Sequence, residues 1–506
     1  MKKANLVFIL FLPLLSFAQG YDLYFSKAVD LYHKKDYKGA LDYFNRAIVY
    51  NPKNVDAYNY CGIINGELGN YPAAIGDFDK IIEINSSIST AYANRAHIKM
   101  LMHKYLDAIA DCNQSIALNM QYDTAYDVRG GARYGMGDYK GSIVDFNKAI
   151  EINPKNSSPY NNRGNSKMAL KDYEGAIDDY GKAIELNPQF ADAYANRGIA
   201  KKNIKNYPGS MADFNNALKI KPNFDAAFNG RGIVKSNLKD TTGAMADYNE
   251  AIKINPTYAD AYENRGVLKA GIKDYSGANT DISKAIELNP RYAGAYFDRG
   301  ELKNEQGDRD GAIADLTTAI NIDTNFANAY HDRGCIKNNL KDFAGAITDL
   351  SKAITINPAF DLAYTNRGIA EVYSRNYSDA VSDFSKAISL VPEKPASYYY
   401  LGLLMLNLHN VKVAMENFDK VITLSPNDAN AYCNRGECEN MTGDFTAALI
   451  DLNEAIRLNP RMAQAYSYRA QVKYFQKDKV GACTDWQQAV QLGDAAAKFD
   501  MDKFCK

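Results

Sequence analysis

Residues 157–190 read SSPYNNRGNSKMALKDYEGAIDDYGKAIELNPQF, and this stretch decides the fold. Tyr160, Gly164, Met168 and Leu170 fall on one broad helical face, and Lys171-Asp172-Tyr173 interrupts the pattern. Ala176, Ile177, Tyr180, Ala183, Ile184 and Leu186 then recur at helical spacing. Asn187-Pro188 stops the run, because proline lacks the N–H that a continuing helix needs. Two antiparallel helices are expected. A pair this short cannot bury both apolar faces alone, so it must stack on similar pairs.

Outward from this stretch the pattern recurs. Tyr24, Tyr58, Tyr92, Tyr126, Tyr160, Tyr194, Phe228, Tyr262, Tyr296, Tyr330, Tyr364, Tyr398, Tyr432 and Tyr466 stand 34 residues apart, fourteen repeats with no insertion or deletion. With this aromatic at place 4, place 8 is glycine or alanine in every repeat, from Ala28 to Ala470. Place 20 is alanine or serine, from Ala40 to Ala482. Small residues at both places let two helices approach closely.

The combination resembles the tetratricopeptide repeat (TPR) family over residues 21–496. The resemblance implies an all-α fold, a right-handed superhelical solenoid of antiparallel helix pairs. Repeats 2, 3 and 10 depart from it, with Ser86, Met120 and Thr324 in place of the closing proline. Repeat 14 carries Trp486 at its second aromatic place and Gly493-Asp494 where Asn-Pro is usual. The tail 497–506, with Phe499 and Phe504, is expected to cap the last apolar face.

The first eighteen residues stand outside the repeats. Met1-Lys2-Lys3 is positive, Leu6 to Leu15 is apolar apart from Pro13, and Ser16-Phe17-Ala18 places small residues before Gln19. Residues 1–18 therefore read as a secretory signal peptide too short to span a bilayer. The expectation is an exported protein, periplasmic or extracellular, with no membrane span after cleavage. Composition is ordinary, with 59 basic against 60 acidic residues, so no basic excess exists to bind nucleic acid. Seven cysteines show no C-x-x-C spacing, which argues against a metal site. Cys483 and Cys505 are either a disulfide joining the tail to the last repeat or two buried thiols.

Family members usually carry leucine at place 7 and tyrosine at places 11 and 23. This chain repeats Arg, Lys and Asp instead, as in Arg197, Lys201 and Asp213, with arginine in eleven repeats and aspartate in twelve. Arg and Lys lie four apart on one helical face, so an aspartate on the second helix is expected to bridge them. Repeats 1 and 12 lose most or all of the set together, repeat 12 having Leu401, Met405 and Asn417. Repeat 2 keeps Asp77 beside Cys61 and Asn65.

In the family, first helices line the inner surface of the superhelix, with places 2, 5, 6, 9, 12 and 13 facing inward. Place 6 holds Asn94, Asn162, Asn196, Asn264, Asn366 and Asn434. This is similar to the asparagine ladder of O-linked N-acetylglucosamine transferase, which implies a grip on extended peptide backbone, since an amide both donates and accepts. The inner face also gathers Asp298, Glu301, Glu305, His331 and Asp332 in repeats 9 and 10, a local acidic patch. Places 2 and 5 carry no lysine, so the family's clamp for chaperone C-terminal carboxylates is not matched. Repeat 12, around Tyr398, Tyr399, Tyr400 and Leu403, is more apolar than its siblings and reads as an interface or as a core without the polar set.

No phosphate loop, nucleophile elbow or metal motif is present, and the five histidines lack metal-ligand spacing. The sequence therefore points to a non-enzymatic scaffold without cofactor, binding a protein or peptide in a groove. The alternative is a structural component of the cell envelope or of a secretion apparatus, contacting partners through repeat 12 or the repeat edges.

Overall fold

The computed structural model describes the backbone of residues 11–505 and the side chains of residues 21–505. The leader assigned to residues 1–18 lies outside the residues whose side chains are described. Among the described residues are 29 helices and no strand, an all-α solenoid of tandem helix pairs. None of these helices is long and apolar enough to cross a membrane.

The stretch 157–190 forms helices Ser157–Ala169 and Tyr173–Leu186. Its turn follows from three residues. Lys171 at place 15 takes a left-handed conformation, φ 64°. The Asp172 amide then donates to the Lys167 carbonyl at 2.9 Å and closes the first helix. The Asp172 side chain accepts from the Gly175 amide at 3.0 Å and caps the second. A Cβ on Gly175 would collide with that carboxylate, which is why glycine stands there. Place 15 is left-handed in every repeat, as glycine at Gly69, Gly137, Gly307 and Gly443 and elsewhere as lysine, arginine or histidine.

Between the helices the Tyr180 ring lies against Gly164, where a Cβ would meet the ring at 2.6 Å. Ala176 and Ala183 are fully buried on the second helix. Place 8 is thus the seat of the place-24 side chain, a ring at Tyr180 and an aliphatic at Ile282 or Leu316, which accounts for the small residue there.

The chain divides into two compact units, Met1–Asn264 and Arg265–Lys506. In each, the first helices of neighbouring repeats touch one another, and second helices do not come comparably close. Spacing is therefore tighter on the first-helix side, and each unit bends toward its first helices. In the second unit a closing helix, Ala495–Phe504, begins two residues before the boundary expected from the repeat pattern. Its Ala497, Met501 and Phe504 cover Trp486 and Tyr474, and Cys483 is disulfide-bonded to Cys505 with Cα atoms 5.7 Å apart.

Candidate functional site

The polar trio lies between the helices. Arg163 engages both carboxylate oxygens of Asp179, with Nε donating to Oδ2 at 2.9 Å, and Lys167 Nζ adds a contact at 2.8 Å. Its Nη1 donates to Asn147 Oδ1 at 2.6 Å, on the second helix of the preceding repeat. The guanidinium also rests over the Tyr160 ring, 5.6 Å from its centroid. The same stacking recurs from Arg95 on Tyr92 to Arg469 on Tyr466, including Arg231 on Phe228. The recurrent aromatic at place 4 is thus a platform for the arginine at place 7. One guanidinium ties together three helices. Hydrogen bonding to Asp111 at Arg95, and to Asp315 at Arg299, raises these arginines above their ordinary pKa. With its hydrogen bonds taken up inside the fold, the trio is structural.

The asparagines at place 6 occupy the first-helix face. Each directs Nδ2 at the place-5 side chain of the preceding repeat. In the first unit Asn94 reaches Asn59 at 3.0 Å, Asn162 reaches Asp127 at 3.0 Å, and Asn196 and Asn264 reach Asn161 and Asn229 at 3.1 Å. In the second unit Asn366 meets His331 Nε2 at 3.0 Å and Asn434 meets the Tyr399 hydroxyl at 3.3 Å. These bonds fix the amide plane. At Asn94, Asn196 and Asn264 the bond uses one N–H, and the amide's valence provides a second N–H and a carbonyl oxygen.

The place-5 partners escaped the sequence reading, although a signal was present. Every asparagine at place 6 follows a polar side chain at place 5 one repeat earlier, whereas Val128 and Gly230 follow Ala93 and Ala195. The acceptor for arginine Nη1 on the preceding second helix was likewise missed. Asn113, Asn147, Asn215, Thr317, Asp419 and Asn453 serve in that role at one common place.

Repeats 9 and 10 bring Glu301, Glu305 and Asp332 to one pocket of about 200 Å³. Its desolvation, together with the Asp332 and Glu305 charges, raises the Glu301 carboxyl above the ordinary carboxylate range. His331 Nδ1 lies 2.7 Å from Asp332 Oδ1, and its ring stacks on Phe360 at 4.8 Å. Burial works to lower the His331 pKa, but hydrogen bonds to Asp332 and Cys335 hold it at about 9. Asp298 is half-buried on the same helix as Glu301.

The apolar residues of repeat 12 divide. Leu401, Leu404 and Met405 are buried with Phe384 and Phe418, so Leu401 and Met405 replace the arginine and lysine of the trio by packing. Tyr398 and Leu403 are half-buried and Tyr400 is 37 % exposed. The Tyr399 hydroxyl receives Asn434 and so also belongs to the asparagine ladder. Among the described residues no cluster of histidine, cysteine and carboxylate side chains could hold a metal ion.

Family models described as TPR repeat match residues 130–171, 164–205 and 237–271. Models described as tetratricopeptide repeat match 23–87, 365–429, 406–463 and 327–360. No curated protein matches. Among solved structures, the APC/C hetero-tetramer Cut9–Hcn1 is 15 % identical with a TM-score of 0.51, covering 89 % of this chain and 96 % of that one, a likeness of fold. Yeast Tom70 is 19 % identical, TM-score 0.35, over 76 % of this chain and 95 % of that one. MamA is 26 % identical, TM-score 0.30, over 34 % and 93 %.

Proposed function

The chain belongs to the tetratricopeptide repeat family, and on that premise we propose that it is a protein-interaction scaffold holding an extended segment against its first helices. Members of this family are generally non-catalytic and bind protein partners. The observation that carries the reading is the amide ladder. Asn196 and Asn264 are half-buried, oriented by bonds to Asn161 and Asn229, and placed on the face toward which their unit bends. An oriented amide recognises a peptide backbone without regard to side chains, because it pairs with both C=O and N–H. The envelope-component reading has less support, since the apolar residues of repeat 12 are largely taken up in packing.

We also propose that the protein is exported. The leader pattern of residues 1–18 supports this, and the Cys483–Cys505 bridge suits an oxidising compartment. Sequencing the N-terminus of the protein from cells should find Gln19; an intact Met1 on the bulk of the protein would refute cleavage.

Crosslinking in intact cells with mass spectrometry tests the scaffold. A partner should attach through first-helix residues and be lost in the Asn196→Ala, Asn264→Ala variant with circular dichroism unchanged. Partner crosslinks confined to second helices, or retained in full by the variant, would overturn the reading.

A further inference from the structure

Pockets between neighbouring first helices recur at fixed places of the repeat. In repeats 5 and 6, Asn165, Met168, Ala169, Asn196 and Ile199 line one of about 260 Å³. These are places 9, 12 and 13 of one repeat and 6 and 9 of the next. The same five places in repeats 9 and 10 are Glu301, Asn304, Glu305, Asp332 and Cys335, which line the acidic pocket. One step onward they are Cys335, Asn338, Asn339, Asn366 and Ile369, mostly amides. A second step gives Ile369, Val372, Tyr373, Tyr400 and Leu403, with Tyr373 66 % exposed and Tyr400 37 % exposed. The unit Arg265–Lys506 therefore carries an acidic, then an amide, then an aromatic and aliphatic place along one face.

Resting on the scaffold reading, we propose that this face selects an extended segment with a basic side chain at Glu301, Glu305 and Asp332 and an apolar one at Tyr373, Tyr400 and Leu403. Charge complementarity favours the basic group, because Asp332 is already held by His331 while Glu301 and Glu305 share the same small pocket without such a partner, and a guanidinium could pair with both. Two steps along, the exposed aromatic surface of Tyr373 and Tyr400 favours an apolar side chain over a second charge. Between the two, Asn338 donates from Nδ2 to the Asn366 carbonyl at 2.9 Å, and its Oδ1 has no hydrogen-bond partner in the protein. Packed helices lie about 8–10 Å apart and an extended chain advances about 3.3 Å per residue, so two steps correspond to roughly five or six residues. The partner class is thus a basic residue and an aromatic or aliphatic residue at that separation, with sequence-tolerant backbone contacts between.

Panning a random dodecapeptide phage library against the full chain tests this. Enriched peptides should share the basic and apolar pair at that spacing. Their affinity should fall at least tenfold in the Glu301→Gln, Glu305→Gln variant and in Tyr373→Ser, with helicity retained. Added salt should weaken the basic contact and spare a peptide in which that residue is alanine. Enriched peptides without the pair, or insensitive to both variants, would overturn the proposed selectivity. If those peptides still weaken in Asn366→Ala, the ladder reading survives; no enrichment at all would count against both. Concentration-dependent self-association abolished by Tyr373→Ser would make a second copy the occupant and overturn the proposal.

Discussion

The guanidinium of Arg197 holds both carboxylate oxygens of Asp213, Nε on Oδ2 at 2.9 Å and Nη2 on Oδ1 at 2.7 Å. Asp213 is 2 % exposed and also takes Lys201 Nζ at 2.8 Å. Asp213→Asn leaves two cations facing a neutral amide and should cost about 3–5 kcal/mol, the usual loss on breaking a buried pair. Arg197→Leu together with Lys201→Met and Asp213→Asn should cost far less, because repeat 12 folds with Leu401, Met405 and Asn417 at those places. Urea unfolding of the single and combined variants checks this. Simple additivity of Asp213→Asn and Arg197→Leu would show that the bridge carries no coupling.

Repeat 2 is a natural variant of the same network. Asp77 has no cation on its own first helix, only Asn65 Nδ2 at 2.8 Å. Burial raises its carboxyl to about 6 from an ordinary 3.8, with the Asn65 bond acting the other way. The folded state thus holds this proton more tightly than the unfolded chain. Its contribution to stability is complete below pH 3.8 and is lost as pH rises through about 6. At Asp281, burial is outweighed by Arg265 and Lys269, which lower the carboxyl; that contribution is present above the ordinary value and lost on acidification. Asn65→Lys should convert Asp77 to the second behaviour. Hydrogen exchange in residues 55–84 between pH 4 and 7 reads it out, and an unchanged slope would refute the assignment.

Glu439 stands where most repeats have lysine, and its buried Oε2 has no hydrogen-bond partner. Burial first, and then the Asp451 charge, raise it to about 7. Its neighbours include the carboxylates of Asp419 and Asp444 and the guanidinium of Arg435. Repeat 11 has a glutamate at the same place, but there Asn376 donates to Glu371 Oε2 at 2.6 Å, where repeat 13 offers Asp444. The protonated form of Glu439 favours folding, so its contribution is lost as pH rises through about 7. Glu439→Lys should stabilise the protein at pH 8 by about 1.5–3 kcal/mol, the range for a hydrogen bond to a charged group. The gain should shrink at pH 5. A loss of stability at both pH values would disprove the pairing with Asp451.

The closing helix should loosen on reduction. Cys483 and Cys505 are 22 residues apart, and closing a loop of that size contributes about 3 kcal/mol in the chain-entropy account. Trp486, the chain's one tryptophan, is 1 % exposed beneath Phe504. Cys505→Ser should therefore red-shift tryptophan emission at a lower urea concentration than global loss of helicity. Coincident transitions in wild type and variant would show that the bridge does not hold the cap.

Much of the candidate face was legible from the repeat register. The register put the asparagines at place 6 on one helix face, and Glu301, Glu305 and Asp332 meet in one pocket. For Tyr399 the sequence left interface and packing both open; in the fold its apolar neighbours Leu401, Leu404 and Met405 pack inward while its hydroxyl receives Asn434 from the next repeat. A stretch of apolar sequence does not reveal which side chains are already occupied.

The sequence by itself determined the helices, their turns and their copy number. Period, capping residues and breakers act within a few residues of one another, so Tyr160, Lys171, Asp172 and Gly175 carry that information locally. Only the tertiary structure decided which polar groups meet. Asn196 finds Asn161 at 35 residues' distance, and Arg163 finds Asn147 on another repeat, through the angle at which one helix pair stacks on the next. Stacking angle is a property of packed surfaces rather than of local periodicity. It made the recurrent tyrosine the platform of an arginine that joins three helices.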